Sequence, residues 1–398
     1  MFLLNEILFC SPLIIYAAFR IWKLIPQRFF RILSIIFYIF LVLAFPVAET
    51  VSHASGIGWA NFVVIVGYFS LPLLLYLVLV VILLDIAIGF VLVTRILSKE
   101  TVKCERIRQA RLILCLVVPI AVVVIGAVWN NHPQIQEYSI EIPKKSSGTR
   151  QLKIAFVSDF HLRETTNRNL MERFVEKVST ASPDIVLIGG DVLEGDRQGE
   201  KLDEFKTQFR RLKPKYGVYG VPGNHDLHRA SAMAFFDQAG IRPLRDTVEK
   251  IDNAFYLVGR NDTRSSSRKS IEELLRDCDK NLPVIVLEHR PIDLDNISRS
   301  GADILLSGHT HNGQLFPVNF ITQRHYELSW GYKLKNHTHV FVTSGIQVWG
   351  PPVRTAGTSE ILILNVSFRN DRSQISPTNV SPKEPLSKGI HRRLTLNM

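Results

Sequence analysis

Four apolar stretches crowd the first 130 residues of this chain, near 4–22, 30–48, 62–94 and 112–129, and each meets or approaches the roughly 20 apolar residues that a helix needs to cross a bilayer. A chain built this way cannot be one water-soluble domain. Residues 1–130 hold only 10 of the 47 Lys and Arg and 5 of the 36 Asp and Glu, so the net charge of +11 divides into +5 there and +6 in the remainder. That balance gives the polar part no surplus that would make nucleic acid a stable partner. The four cysteines, Cys10, Cys104, Cys115 and Cys278, are scattered, with three before residue 130, which excludes a disulfide framework and a cysteine metal site.

The first stretch lacks a basic lead-in and a small-residue cleavage site and carries Glu6, so it reads as a retained helix and not a removed signal. The third is too long for one perpendicular crossing, and Gly67, Pro72 and Gly89 within it point to tilt, a kink or an interfacial extension. Arg20, Lys23, Arg28 and Arg31 fill the first loop, the second has no Lys or Arg, and Arg95, Lys99, Lys103, Arg106, Arg108 and Arg111 fill the third. Because cytoplasmic loops carry the basic excess, a multipass membrane protein is expected, with everything after Trp129 on the extracytoplasmic side. Asp85 in the third stretch is expected near the cytoplasmic interface or paired with a basic loop residue.

Residues 131–150, with Pro133, Pro143 and a Lys-Lys-Ser-Ser-Gly run, have linker composition, and a domain is expected over 151–368. Within it five short apolar runs read as buried strands: 153–157, 184–188, 217–221, 284–287 and 304–306. Helical spacing over 168–180, 200–212 and 268–277 alternates with them, which predicts an α/β sheet whose ligands bind beyond the carboxyl ends of the strands. Those ends carry Asp159, His161, Asp191, Asn224, His289, His309 and His311. Carboxylate, imidazole and amide oxygen without thiolate form a ligand set for two divalent metals of the Mn, Zn or Fe kind. Asp191, preceded by two glycines, is the natural bridge. Each motif alone has a plain alternative, since Gly-Asp after a strand is usually a turn and a single strand-end His is usually structural. Their order and shared placement in one domain decide for a site.

In sequence these blocks, Asp159-Phe160-His161, Gly190-Asp191, Gly223-Asn224-His225-Asp226, His289 and Gly308-His309-Thr310-His311, resemble the calcineurin-like metallophosphoesterase family. The resemblance covers about 151–366, and Pro352, Val353, Arg354 and Ser359, Glu360, Ile361 look closest to its membrane-anchored branch. Asn312-Gly313-Gln314 stands where that branch commonly has Gly-Gly-Gln. The family implies a four-layer α/β/β/α sandwich. It further implies one metal on Asp159, His161, Asp191 and His311, and a second on Asp191, Asn224, His289 and His309. It makes His225 the acid at the leaving group, with Asp226 orienting its ring. The activity implied is in-line hydrolysis of a phosphate ester by a metal-bridging hydroxide.

Anchoring favours a phosphodiester or pyrophosphate of a lipid or envelope substrate, already concentrated at the bilayer surface. The alternatives are a phosphomonoesterase or nucleotide phosphodiesterase on a soluble substrate, a non-catalytic membrane sensor or scaffold, and a transporter that uses Asp85. Arg354 is expected either near the transition state or in an ion pair with a carboxylate such as Glu360. The aromatic run Thr322 to Lys335, with Tyr326, Trp330 and Tyr332, is expected either in the core or on a rim facing substrate or membrane. Residues 369–398 have the composition of a disordered basic tail.

Overall fold

The computed structural model describes residues 2–52, 58–144, 146, 149–163, 165–194, 200–227 and 230–369. The apolar stretches form α1 (Phe2–Leu24), α2 (Arg28–Ser52), α3 (Gly58–Val93) and, after a short α4 (Lys99–Lys103), α5 (Glu105–Asn130). Among the described residues, three helices are long and apolar enough to cross a membrane: Arg28–Ser52, Trp59–Val93 and Glu105–Asn130. They correspond to the second, third and fourth expected stretches, and the first is helical as α1. The third stretch is one continuous helix through Pro72, not two spans. It packs on α2 where Gly67 has no side chain: a Cβ there would sit 2.3 Å from Ala48 Cβ.

Asp85 on α3 joins three helices. Its carboxylate accepts from Arg20 of α1, from Arg111 of α5 at 2.8 Å and from the Tyr16 hydroxyl at 2.7 Å. The expected pairing with basic residues is therefore present.

Beyond Asn130, twelve short strands among the described residues form two six-stranded mixed sheets. The first runs in the order β1 (Gln134–Ile142), β12 (Glu360–Phe368), β2 (Gln151–Val157), β3 (Ile185–Ile188), β4 (Val218–Gly220), β5 (Arg242–Pro243). The second runs β10 (Gly331–Lys335), β11 (Thr338–Val342), β9 (Ile304–Ser307), β8 (Val284–Leu287), β7 (Phe255–Gly259), β6 (Thr247–Ile251). Strands β2, β3, β4 and β5 are mutually parallel, as are β7, β8, β9 and β11. Runs such as Ile185–Ile188 are buried on both faces, which is why they read as continuous apolar sequence.

Ile154, Phe156, Leu187, Leu257, Ile285 and Phe341 fill the space between the sheets. On the outer face of the first sheet lie α6 (Arg168–Ala181), α7 (Glu200–Phe209) and α8 (Ala230–Ala239), through Phe174, Phe205 and Phe235. On the outer face of the second lie α9 (Ile271–Leu274) and α10 (Leu294–Arg299), through Ile271, Leu274 and Ile297. The result is the α/β/β/α sandwich.

Two sequence expectations are corrected here. Residues 134–142, read as linker, form β1 and pair in parallel with β12, because Tyr138, Ile140 and Ile142 alternate into the inter-sheet core. The helix expected over 268–277 shrinks to Ile271–Leu274, opened by a capping box between Ser270 and Glu273. Residues 370–398 of the expected tail lie outside the described residues.

Candidate metal centre

All the strand-end motifs converge on one rim. Asp159 and His161 follow β2, Asp191 follows β3, and Asn224, His225 and Asp226 follow β4 of the first sheet. His289 follows β8, and His309 and His311 follow β9 of the second. The loops reach that rim through sparsely populated backbone: Asp159, His161, Asp191, His309 and His311 have φ of 61, 43, 51, 71 and 48°. Five non-glycine residues in this region store strain that only a functional arrangement or dense surrounding packing sustains. Two glycines leave the room. A Cβ at Gly223 would stand 2.1 Å from Asp191 Oδ1, and one at Gly308 would stand 2.3 Å from Asp159 Oδ2.

The donors group as Asp159, His161 and His311, as His161, Asp191 and His225, and as Asp191, His289 and His309, each set holding its ligand atoms within 4.8 Å. Asp191 therefore stands between a group on the first sheet's side and a group on the second's. Three of the imidazoles are oriented alike. His161 Nδ1 is 2.7 Å from Glu194, His289 Nδ1 is 2.8 Å from the Gly189 carbonyl, and His311 Nδ1 is 3.2 Å from the Gln347 carbonyl. Carbonyls and carboxylates only accept, so each Nδ1 carries the hydrogen and each Nε2 is turned inward. His161 Nε2 and His311 Nε2 then face each other at 3.2 Å, and His289 Nε2 lies 3.0 Å from Asp191 Oδ2. The lone pairs of His161 and His311, converging in a buried pocket, do not satisfy one another. A cation does, and this donor set fits one. Asn224 supplies a second sign of fit, since its Oδ1 is buried without a hydrogen-bond donor.

Electrostatics follow the same division. Burial, followed by the nearby His289 charge, pulls His309 down to about 2, and burial beside His161 holds His311 well below the usual imidazole value, so both rings are neutral donors. Burial opposes charge on Asp191, but His289 outweighs it by charge and hydrogen bond and holds the carboxyl well below its usual range.

Sequence reading missed Glu194. Its carboxylate lies 2.7 Å from His161 Nδ1 through Oε2 and 3.1 Å from His225 Nδ1 through Oε1. The expectation that Asp226 orients the His225 ring is corrected accordingly. Asp226 instead accepts from the backbone N–H groups of Val192, Leu193 and Gly223 at 3.0 to 3.1 Å, tying the β3 and β4 loops together. Burial opposes a proton on His225, but the bond to Glu194 and the Asp191 charge overcome it and raise its affinity for the proton.

Arg354 meets neither expectation. It is buried and its guanidinium donates to the carbonyls of Ser344, Gly345 and Gln347, bracing the loop against which His311 Nδ1 rests. Glu360 is engaged elsewhere, by Trp330 Nε1 at 2.9 Å, Thr343 Oγ1 and the Ser344 N–H. The aromatic run divides: Tyr332 packs on Tyr138 and Phe341, whereas the Tyr326 ring lies 6.2 Å from that of His309.

Such a sandwich with carboxylates and imidazoles gathered on one rim defines a protein of the metallophosphoesterase class. Residues 152–313 match the calcineurin-like phosphoesterase family. An uncharacterized metallophosphoesterase of Aquifex aeolicus is 30% identical over 250 residues, covering 60% of this chain and 93% of that protein. The chain belongs to the calcineurin-like phosphoesterase family. It is also 30% identical over 283 residues to the transmembrane protein with metallophosphoesterase domain of Danio rerio, covering 66% of this chain and 64% of that one. An uncharacterized metallophosphoesterase of Helicobacter pylori is 30% identical over 247 residues, covering 60% of this chain and 65% of its own length. The match thus spans just under two thirds of these last two relatives.

Proposed function

We propose that this chain is a membrane-anchored, metal-dependent phosphoric ester hydrolase acting on a phosphodiester or pyrophosphate of a lipid or envelope substrate. The observation that carries the reading is Asp191, shared by the donor groups of the two sheets. Asp159, His161, Asp191 and His311 would hold one divalent ion, and Asp191, Asn224, His289 and His309 the other. Bound there, Mn, Zn or Fe ions would supply Lewis-acid charge to the phosphoryl oxygens and an activated water.

The chain's own groups do the rest. Glu194 fixes the rings of both His161 and His225. His225, partly exposed at the mouth and holding its proton more firmly than an ordinary histidine, donates to the departing oxygen, a contribution typically worth about 10² to 10⁴ in rate. Asp226 keeps the two loops in register.

Sidedness rests on α5 and the basic residues in its first two turns. With Arg106, Arg108 and Arg111 held in the cytoplasm, α5 delivers the catalytic residues to the opposite side. An alkaline-phosphatase reporter fused after residue 145 tests this, and activity restricted to a cytoplasm-compatible reporter would overturn it.

The hydrolase reading is tested by manganese-dependent turnover of bis-p-nitrophenyl phosphate and p-nitrophenyl phosphate by the full chain in detergent. Diester turnover that Asp191→Asn abolishes and His225→Ala lowers supports it. A folded, metal-loaded chain inert on both esters, and on lipid esters, would return weight to a sensor or scaffold. Preference for the monoester would select the soluble-substrate alternative.

A further inference from the structure

Beyond Asn130 the described large apolar side chains that stand exposed are few, and four of six fall in one short segment: Phe316, Val318, Phe320 and Ile321, the others being Trp330 and Leu334. Ile321 is 71% exposed and Phe320 58%. Soluble surfaces seldom gather such residues without a partner. The segment directly follows the Gly-His-Thr-His block and leads into α11 (Asn319–His325).

Its position says what the partner is. Leu315 packs with Tyr76 of α3, Val123 of α5 and Val353. The Phe316 carbonyl accepts from the Tyr76 hydroxyl at 3.1 Å, and its N–H donates to Thr355 Oγ1, which also contacts that hydroxyl. On α5, the Gly126 carbonyl accepts from the Arg354 N–H at 3.1 Å. The exposed apolar tip is therefore fastened to the sides of two helices that are long and apolar enough to span a bilayer.

Depth follows from helix rise. Val123 lies about 18 Å along α5 from Arg111, and Gly126 about 22 Å, at 1.5 Å per residue. Arg111 pairs with Asp85 at the basic end of the bundle. A hydrocarbon core is about 30 Å thick. Measured from that end, the attachment of Leu315 and Phe316 falls short of the far boundary, within the leaflet that faces the catalytic rim.

We infer that residues 316–321 are buried in the bilayer leaflet facing the catalytic domain, so that the metal centre opens at the headgroup level and draws its phosphate ester from the membrane itself. The occupant of this apolar surface is the acyl region of lipid. Arg324 and His325, exposed in the last turn of α11, then stand at headgroup height. Tyr326, at the end of that helix about 7.5 Å of helix rise beyond Ile321, contacts His309 and completes the route from lipid to site. The substrate part of this inference rests on the hydrolase reading; the insertion does not.

The test uses the full chain, with Cys10, Cys104, Cys115 and Cys278 replaced by Ser, reconstituted in phosphatidylethanolamine and phosphatidylglycerol vesicles. A nitroxide label is placed at Ile321→Cys, at Val318→Cys as a second report, and at Asn281→Cys, which precedes β8 at the end of the sheet away from the site. Labels at 318 and 321 are expected to collide severalfold more with oxygen than with a water-soluble nickel chelate, and the label at 281 the reverse. Chelate access at 318 and 321 equal to that at 281 would overturn the insertion. Turnover of bis-p-nitrophenyl phosphate and of the vesicle phospholipids, read in the same vesicles, separates the two readings. Buried labels without turnover support the insertion and sink the hydrolase; exposed labels with turnover do the opposite.

Discussion

Glu194 Oε2 lies 2.7 Å from Nδ1 of His161, and the same carboxylate reaches His225 through its other oxygen. One residue thus orients a candidate metal ligand and the candidate acid. Burial opposes its charge, but the hydrogen bonds from both rings hold it well below the usual carboxylate range. Replacing it by Gln keeps the shape but removes the charge. Glu194→Gln is expected to weaken metal binding by roughly 10- to 100-fold, the usual cost of losing such a supporting partner. It is also expected to shift the proton-donating limb of the pH–rate profile to lower pH, because His225 loses the anion that stabilises its charged form. Metal titration together with a pH profile checks this. An unchanged profile would reduce Glu194 to a structural role.

Asp226 has a different task, and so a different expected failure. Its carboxylate is buried and accepts from three backbone N–H groups of two loops. Asp226→Ala leaves those donors unpartnered, at about 1 to 3 kcal/mol each. A loss of several kcal/mol in stability is expected, read as a lowered Tm in detergent. Asp226→Asn retains one acceptor oxygen and should recover part of it. Full stability of the alanine variant would count against this bracing role.

Proton and metal compete at His289. Burial works against its charge, but Asp191 beside it raises the imidazole to about 10. A raised value means the proton is fully held below the ordinary histidine range and leaves only as pH rises through about 10. A metal using Nε2 must displace it. Binding near neutral pH is therefore expected to release a proton, with apparent affinity rising about tenfold per pH unit for one proton exchanged. Calorimetry in buffers of different ionisation enthalpy measures this directly, and affinity independent of pH would refute it.

How far this was legible in sequence depends on how local each signal is. Asp159, Asp191, His289 and His309 announce themselves because each closely follows a short strand that is wholly or mostly buried, and such strands read as apolar runs. β1 did not, because Pro133 and Pro143 bracket it and its alternating pattern makes sense only against β12, more than two hundred residues later in the chain. Glu194 follows Asp191 with no motif of its own, and its role exists only once the β2 and β4 loops bring two histidines to it. Arg354 shows the same limit: its basic character suggested a charge partner, whereas three carbonyls of one loop hold it.

Gly223 offers a test of how tightly the centre is drawn. A Cβ there would stand 2.1 Å from Asp191 Oδ1 and 2.4 Å from its backbone nitrogen, both within a rigid loop. Gly223→Ala must push the shared carboxylate aside. A displacement of order 1 Å can cost about 10²-fold in rate, so turnover is expected to fall by about that factor while the fold persists. Gly217→Ala is the comparison, since its nearest neighbour is the edge of Tyr219 at 3.7 Å and its cost is confined to a positive φ of 89°. Equal losses in the two would show that backbone conformation, not the approach to Asp191, sets the requirement.

Asp85 separates the anchor from the chemistry. Its carboxylate is held by Arg20, Arg111 and Tyr16 and is largely shielded. Removing one member of a buried ion cluster leaves the others uncompensated, at about 3 to 5 kcal/mol. Here two guanidiniums would be stranded between α1, α3 and α5. Asp85→Asn is expected to lower the thermal stability of the helical region and loosen α1, read as faster proteolysis near Arg20 in proteoliposomes. Ester turnover per folded molecule should stay within about twofold, because the cluster lies roughly 13 Å of helix rise from Tyr76, where α3 meets the catalytic rim. A selective loss of turnover with stability intact would instead give the intramembrane carboxylate a functional part and revive the transporter reading.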